Sequence, residues 1–188
     1  MTKGTKSILF GVHQFLWHPF TVWLAWIYLY RALPGWRECI CILVHDWGYW
    51  GKVNMDDELG ETHPLLGAKI AHKLLDKGDD HHYFNLVLLH SRHYAKQLGT
   101  EPSKLCWADK ASIIFEPWWL YLPRAWASGE LAEYRMLADR GGFVWLEMKD
   151  RVWFAWLKER LKKLAREKRG NAVAYMNCQS FYTTGGPS

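Results

Sequence analysis

His45 and Asp46 stand side by side at the end of an apolar run, Ile42-Leu43-Val44-His45-Asp46-Trp47-Gly48. An uncharged imidazole beside a carboxylate is a poor core arrangement unless something positive lies between them. Adjacent helical residues point about 100° apart, so both face one ion only if the helix ends there, as Gly48 suggests. His18 opens a second apolar stretch, His18-Pro-Phe-Thr-Val22-Trp-Leu-Ala25. Asp109 sits in a third, among Leu105, Cys106, Ala111, Ile113 and Ile114. Two histidines and two aspartates make an N/O donor set that holds a metal with open positions. Hydrolytic metal sites need that set, with a bound water of lowered pKa.

The elements that must position these residues read as helices. Pro19 fits the first turn of a helix reaching about Leu33, where Pro34-Gly35 stops it, with Val22, Ala25, Trp26 and Leu29 on one side. A second helix spans about Trp36–Tyr49, with Cys39, Ile40, Leu43 and Val44 inward. Asp56-Asp57-Glu58 reads as a solvated loop. Thr62 and Pro64 start a helix to about Lys77, with Leu66, Ile70 and Leu74 inward. Asp80 caps another to about Leu98, and Glu101-Pro102-Ser103 opens one through Phe115. Pro117 and Pro123 bracket a short aromatic segment, Trp118 to Leu122. Helices follow at about Ser128–Asp139 and Phe143–Lys168, and Gly170 onward reads as an extended or mobile tail. The expected fold is all-α, one helical bundle over residues 1–169 with an added basic amphipathic C-terminal helix.

Composition narrows the class. A chain of 188 residues with 49% hydrophobic and 23% charged residues makes one globular domain, and it excludes a disordered chain or a disulfide scaffold. The stretch Ser7 to Tyr30 has no charged residue, but His13, His18 and Pro19 within it argue for a buried core helix over a membrane span. No signal-peptide cleavage site follows Lys3 and Lys6. Without any CxxC pair, Cys39, Cys41, Cys106 and Cys178 read as reduced thiols of a cytoplasmic protein. The basic charge is local: Lys149 to Arg169 carries +6 and the remainder −1, so the net +5 does not imply stable nucleic-acid binding. That helix, and the Trp-rich faces among 13 tryptophans, leave peripheral membrane contact as a candidate partner mode, beside homo-oligomerisation.

His18…His45-Asp46…Asp109 resembles the H…HD…D signature of the HD superfamily of metal-dependent phosphohydrolases. Leu43-x-His45-Asp46-x-Gly48, His18-x-x-x-Val22-x-x-Ala25 and Ala108-Asp109-Lys110 match three blocks of that family in order, covering about residues 10–116. His63-Pro64-x-x-Gly67-Ala68 and Leu88-Leu89-His90-Ser91-Arg92-His93 resemble the histidine blocks of its two-metal members. The resemblance implies one or two divalent ions (Fe, Mn, Zn, Co or Mg). His18, His45, Asp46 and Asp109 would hold the first. His63 and His90 would hold the second, with Asp46 bridging. His13 is the rival to His18. The substrate implied is a small phosphorylated molecule such as a nucleotide, its charge met by Lys52, Arg92 or His93, the last sharing a helical face with His90. Tyr49-Trp50-Gly51 separate Lys52 from Gly48, a departure from the family's pattern. The GYP tripeptide is absent, so cyclic di-GMP is not the expected substrate. Six-ligand members of the family also include di-iron oxygenases, the alternative chemistry. A third reading is a non-catalytic module at a membrane surface.

Overall fold

Residues that favour helices dominate the periodic stretches, and the chain folds accordingly. A computed structural model describes residues 1–55, 57–139 and 148–182, with backbone alone for 137–139 and 169–182. Asp56, the expected helix start at Phe143 and the last six residues of the tail lie outside the described residues. The order is α1 (Lys3–Phe10), α2 (Trp17–Tyr30), α3 (Trp36–Val44), α4 (Pro64–Leu75), α5 (His82–Leu88), α6 (Arg92–Gln97), α7 (Lys104–Ser112), α8 (Trp118–Ser128), α9 (Glu130–Asp139) and α10 (Asp150–Tyr182). Short 3-10 turns cover Trp47–Tyr49, Gly60–Thr62 and Ile113–Phe115. No strand occurs among the described residues, so the fold is all-α.

The main core joins α2, α3, α4, α5, α7 and α10 through Val22, Ala25, Leu29, Ile42, Ala68, Ala71, Val87, Leu105, Ala108 and Ala165. A second cluster of Val12, Tyr121, Ala125, Leu131, Trp153 and Phe154 ties α8, α9 and α10 to the loop before α2. The long α10 therefore spans both. None of the described helices is long and apolar enough to cross a membrane.

Several expectations are corrected. The uncharged run Ser7–Tyr30 is not one helix: it breaks at Gly11–Leu16, between α1 and α2. On α4 the inward face is Gly67, Ala68, Ala71 and Leu75, whereas Leu66 and Leu74 are exposed. The cause is close packing, because a Cβ on Gly67 would lie 2.4 Å from the Val44 carbonyl oxygen. On α3, Cys41, Ile42 and Val44 are buried and Leu43 is exposed. The helix expected over 80–98 is split by a turn at Leu89–Ser91, where Ser91 takes an extended backbone and its hydroxyl caps α6 by accepting from His93 N at 3.1 Å. Pro123 lies inside α8, which carries the aromatic segment on to Ser128, and the left-handed Gly129 (φ 85°) ends it. Gly170 does not break α10, which continues to Tyr182. One glycine lowers helix propensity by only about 1 kcal/mol.

Candidate metal centre

Five parts of the chain converge at one place in the bundle, and each brings a histidine or aspartate. His18 lies in the first turn of α2. The Gln14 side chain caps that turn by accepting from the backbone N–H of Leu16 (3.0 Å) and Trp17 (2.6 Å). Trp17 Nε1 donates to Glu116 Oε2 at 2.9 Å, which anchors the start of α2. His45 caps the C-terminus of α3, and Asp46 leaves helical geometry at φ −98°, ψ 1°. The helix ending is what lets two consecutive side chains face inward. Gly48 then passes so close to the next ligand that a Cβ there would lie 1.9 Å from the His63 carbonyl oxygen. His63 precedes Pro64 at the head of α4, His90 occupies the turn between α5 and α6, and Asp109 projects from α7.

These six side chains meet. His18 Nε2 lies 3.1 Å from both Asp46 Oδ2 and Asp109 Oδ1. His45 Nε2 lies 3.2 Å from Asp46 Oδ2 and 3.9 Å from Asp109 Oδ1. The other Asp46 oxygen, Oδ1, lies 3.7 Å from His63 Nε2 and 3.5 Å from His90 Nε2. The ligand atoms thus form two groups, His18–His45–Asp46–Asp109 and Asp46–His63–His90, each within 4.8 Å. Asp46 belongs to both. Except for Asp109, whose side chain is 25% exposed, the set is buried, so the centre opens on the Asp109 side.

The chemistry of the donors tests whether an ion fits. His45, His63 and His90 each donate Nδ1–H to the carbonyl three residues earlier, Ile42, Gly60 and Val87 respectively. That bond commits Nδ1 to the backbone and leaves Nε2 as the inward nitrogen, the atom available to an ion once the ring has shed its second proton. His63 Nε2 and His90 Nε2 then face each other at 3.1 Å. Two lone pairs at that separation repel unless a cation or proton lies between them. In the first group, His18 Nε2, His45 Nε2 and Asp46 Oδ2 are buried without a hydrogen-bond partner among the described residues. Buried polar atoms are seldom left so. With the ligand atoms of each group this close together, the residues fit a metal in both groups.

The electrostatics agree. Burial works against a charged His45, but the Asp46 and Asp109 carboxylates outweigh it and raise the ring to about 10. Burial also opposes ionisation of Asp46 and Asp109. The surrounding histidines nevertheless hold both carboxyls well below the usual range. His63 goes the other way: burial and the neighbouring His90 push it down to about 3. The cluster attracts positive charge at one end and keeps neutral imidazole at the other.

The remaining expected contacts lie outside the two groups. Lys52 Nζ donates to Thr62 Oγ1 at 2.5 Å, one residue from His63. Arg92 and His93 are exposed at the start of α6. Because the chain turns at His90, His93 does not share a helical face with it, which corrects that expectation. His13 is not in either ligand group. It packs instead against His18 (ring centroids 5.2 Å) and Tyr49 (4.9 Å), and Tyr49 stacks on His63 at 3.9 Å. Sequence reasoning missed Glu130, whose buried carboxylate holds His13 from 117 residues away. It missed Tyr49 as well; no spacing signal marks either residue. No protein-family model, curated protein or solved structure matches the chain.

Proposed function

We propose that this chain is a metal-dependent phosphohydrolase of the HD type, cleaving a phosphate ester of a nucleotide or related small phosphorylated molecule. The observation that carries the reading is the division of one carboxylate between two ligand groups. His18, His45, Asp46 and Asp109 would hold one divalent ion, and His63 and His90 a second with Asp46 shared. Two ions so held would supply a water of lowered pKa and positive charge for a phosphoryl group. The chain's own residues do the positioning. Backbone carbonyls of Ile42, Gly60 and Val87 set the imidazole directions. Asp109 lies at the open side, where a phosphate ester arrives. Burial of His18, His45, Asp46, His63 and His90 away from water strengthens each charge interaction inside.

The free thiols support a cytoplasmic setting. Burial pushes Cys41 up to about 12 and Cys106 up to about 11, so both are inert at neutral pH. A second reading rests on the imidazoles of the second group: His63 and His90 supply two nitrogen donors that suit iron, and a di-iron oxygenase acting on a small organic substrate would use the same six ligands. The test is protein purified without chelator, elemental analysis, and a phosphate-release screen over nucleotides and cyclic dinucleotides. The hydrolase reading expects bound divalent metal and phosphate release that Asp46→Ala abolishes. Full turnover by that variant would refute it. Iron-dependent visible absorption with no phosphate release would favour the oxygenase.

A further inference from the structure

His13 lies beside the metal centre without belonging to it, and an unusual amount of structure is devoted to holding it. Its Nδ1 is 2.9 Å from Glu130 Oε1 and 2.8 Å from Ser7 Oγ. Glu130 is fully buried. Besides His13, its carboxylate accepts from the Ser7 hydroxyl (2.7 Å), the Val12 N–H (2.9 Å), the Tyr134 hydroxyl (3.2 Å) and the Ser128 hydroxyl. Gly11 leaves room for it, since a Cβ there would lie 2.5 Å from Glu130 Oε2. Arg124 fastens the same loop by donating to the carbonyls of Gly11 (3.0 Å) and Val12 (3.1 Å). A buried carboxylate is costly, and both oxygens of this one are hydrogen-bonded.

The result is an imidazole whose Nδ1 is committed and whose Nε2 is not used in these bonds. Among the described residues, every hydrogen bond that His13 makes with its ring uses Nδ1. Its side chain is 14% exposed, and the ring lies edge-on to His18 and against Tyr49, the residue that stacks on His63. A histidine needed only for packing would not require a five-donor carboxylate to fix its rotation. We infer that His13 contacts the phosphoryl group of the substrate through Nε2, and that Glu130 is the positioning residue that turns that atom toward the metal centre. The inference rests on the phosphohydrolase reading above.

Two side chains separate the nitrogens. In His13→Asn the amide nitrogen falls near the Nδ1 position, keeping the Glu130 contact and deleting Nε2. In His13→Gln the amide nitrogen reaches the Nε2 position. The measurements are bound metal by elemental analysis, affinity for inorganic phosphate by calorimetry on the Mn²⁺-loaded protein, and kcat/KM for a phosphate monoester. The inference expects His13→Asn to keep the wild-type metal content, to bind phosphate about 10-fold or more weakly, and to lose about 10²–10³-fold in kcat/KM, the range for one lost oxyanion contact. His13→Gln should recover part of both losses. Unchanged phosphate affinity and turnover in His13→Asn would overturn the inference while leaving the hydrolase reading intact. Loss of metal in both variants would also overturn it, making His13 a support for His18 alone. Wild-type protein that holds metal but neither binds phosphate nor releases it would overturn the hydrolase reading and this inference with it.

Discussion

Asp46→Asn keeps the side-chain volume while removing the charge that both ligand groups share. In the wild type Oδ2 approaches His18 and His45 within 3.2 Å, and Oδ1 approaches His63 and His90 within 3.7 Å. Without the carboxylate the first group retains His18, His45 and Asp109, and the second retains only two imidazoles. A ligand that binds only the folded state stabilises it by about 2.7 kcal/mol when present at about 100 times its Kd. Two such sites give about 5 kcal/mol, and at about 2–4 °C per kcal/mol for a chain of this size, loading raises Tm by about 10–20 °C. In the variant the second site is lost and the first weakened, so the shift falls below about 10 °C. The assay is scanning calorimetry on chelated, dialysed protein titrated with Mn²⁺ or Zn²⁺. Each shift is taken from that protein's own metal-free midpoint, because the variant also deprives His45 of a close partner. A loading shift in Asp46→Asn equal to that of the wild type would refute the reasoning.

Acid should destabilise the metal-free protein through His63. Its folded pKa of about 3 lies below the unfolded value of 6.5, so this contribution is complete above about 6.5 and lost as pH falls toward 3; Tm measured against pH should fall more steeply in wild type than in His63→Gln. Glu130→Gln removes the charged acceptor of a buried network and should cost about 3–5 kcal/mol. Glu130 is held down to about 2, and its contribution is lost as pH falls from 4.5; His13 is raised to about 9, and its contribution is lost as pH rises from 6.5 through that value. Denaturant titrations should therefore find the wild-type advantage greatest between about pH 4.5 and 6.5. Gly48→Ala forces the His63 carbonyl away and should cost about 1–3 kcal/mol, with loss of the second ion detectable by elemental analysis.

Much of the site could be read in the sequence because its chemistry conflicts with its surroundings. His45-Asp46 after Ile42-Leu43-Val44, and Asp109 among Ala108 and Ala111, are polar groups that an apolar helix would not tolerate without a partner. The resemblance to a six-ligand family added His63 and His90, and the structure brings all six together. What escaped was set by tertiary contacts. The turn at Leu89–Ser91 has no Gly or Pro to announce it; Ser91 caps α6 and its hydroxyl donates to Glu61 at 3.2 Å. The exposed Leu66 and Leu74 lie on the apolar face that helical spacing alone would bury, and only the small residues of α4 show why α3 packs elsewhere. The bond between His13 and Glu130 joins segments with no shared motif. Pro123 within α8 shows the same limit, since a proline is a strong breaker only where its neighbours do not hold the helix.

The most direct test is crystallography of protein grown with Mn²⁺, with an anomalous difference map. The account predicts two peaks per chain, with Asp46 shared between them and the Nε2 atoms of the histidines and the carboxylate oxygens within bonding reach. One peak would lie among His18, His45, Asp46 and Asp109, the other between His63 and His90. A map without a peak at either place, in protein that elemental analysis finds metal-free after loading, would contradict it.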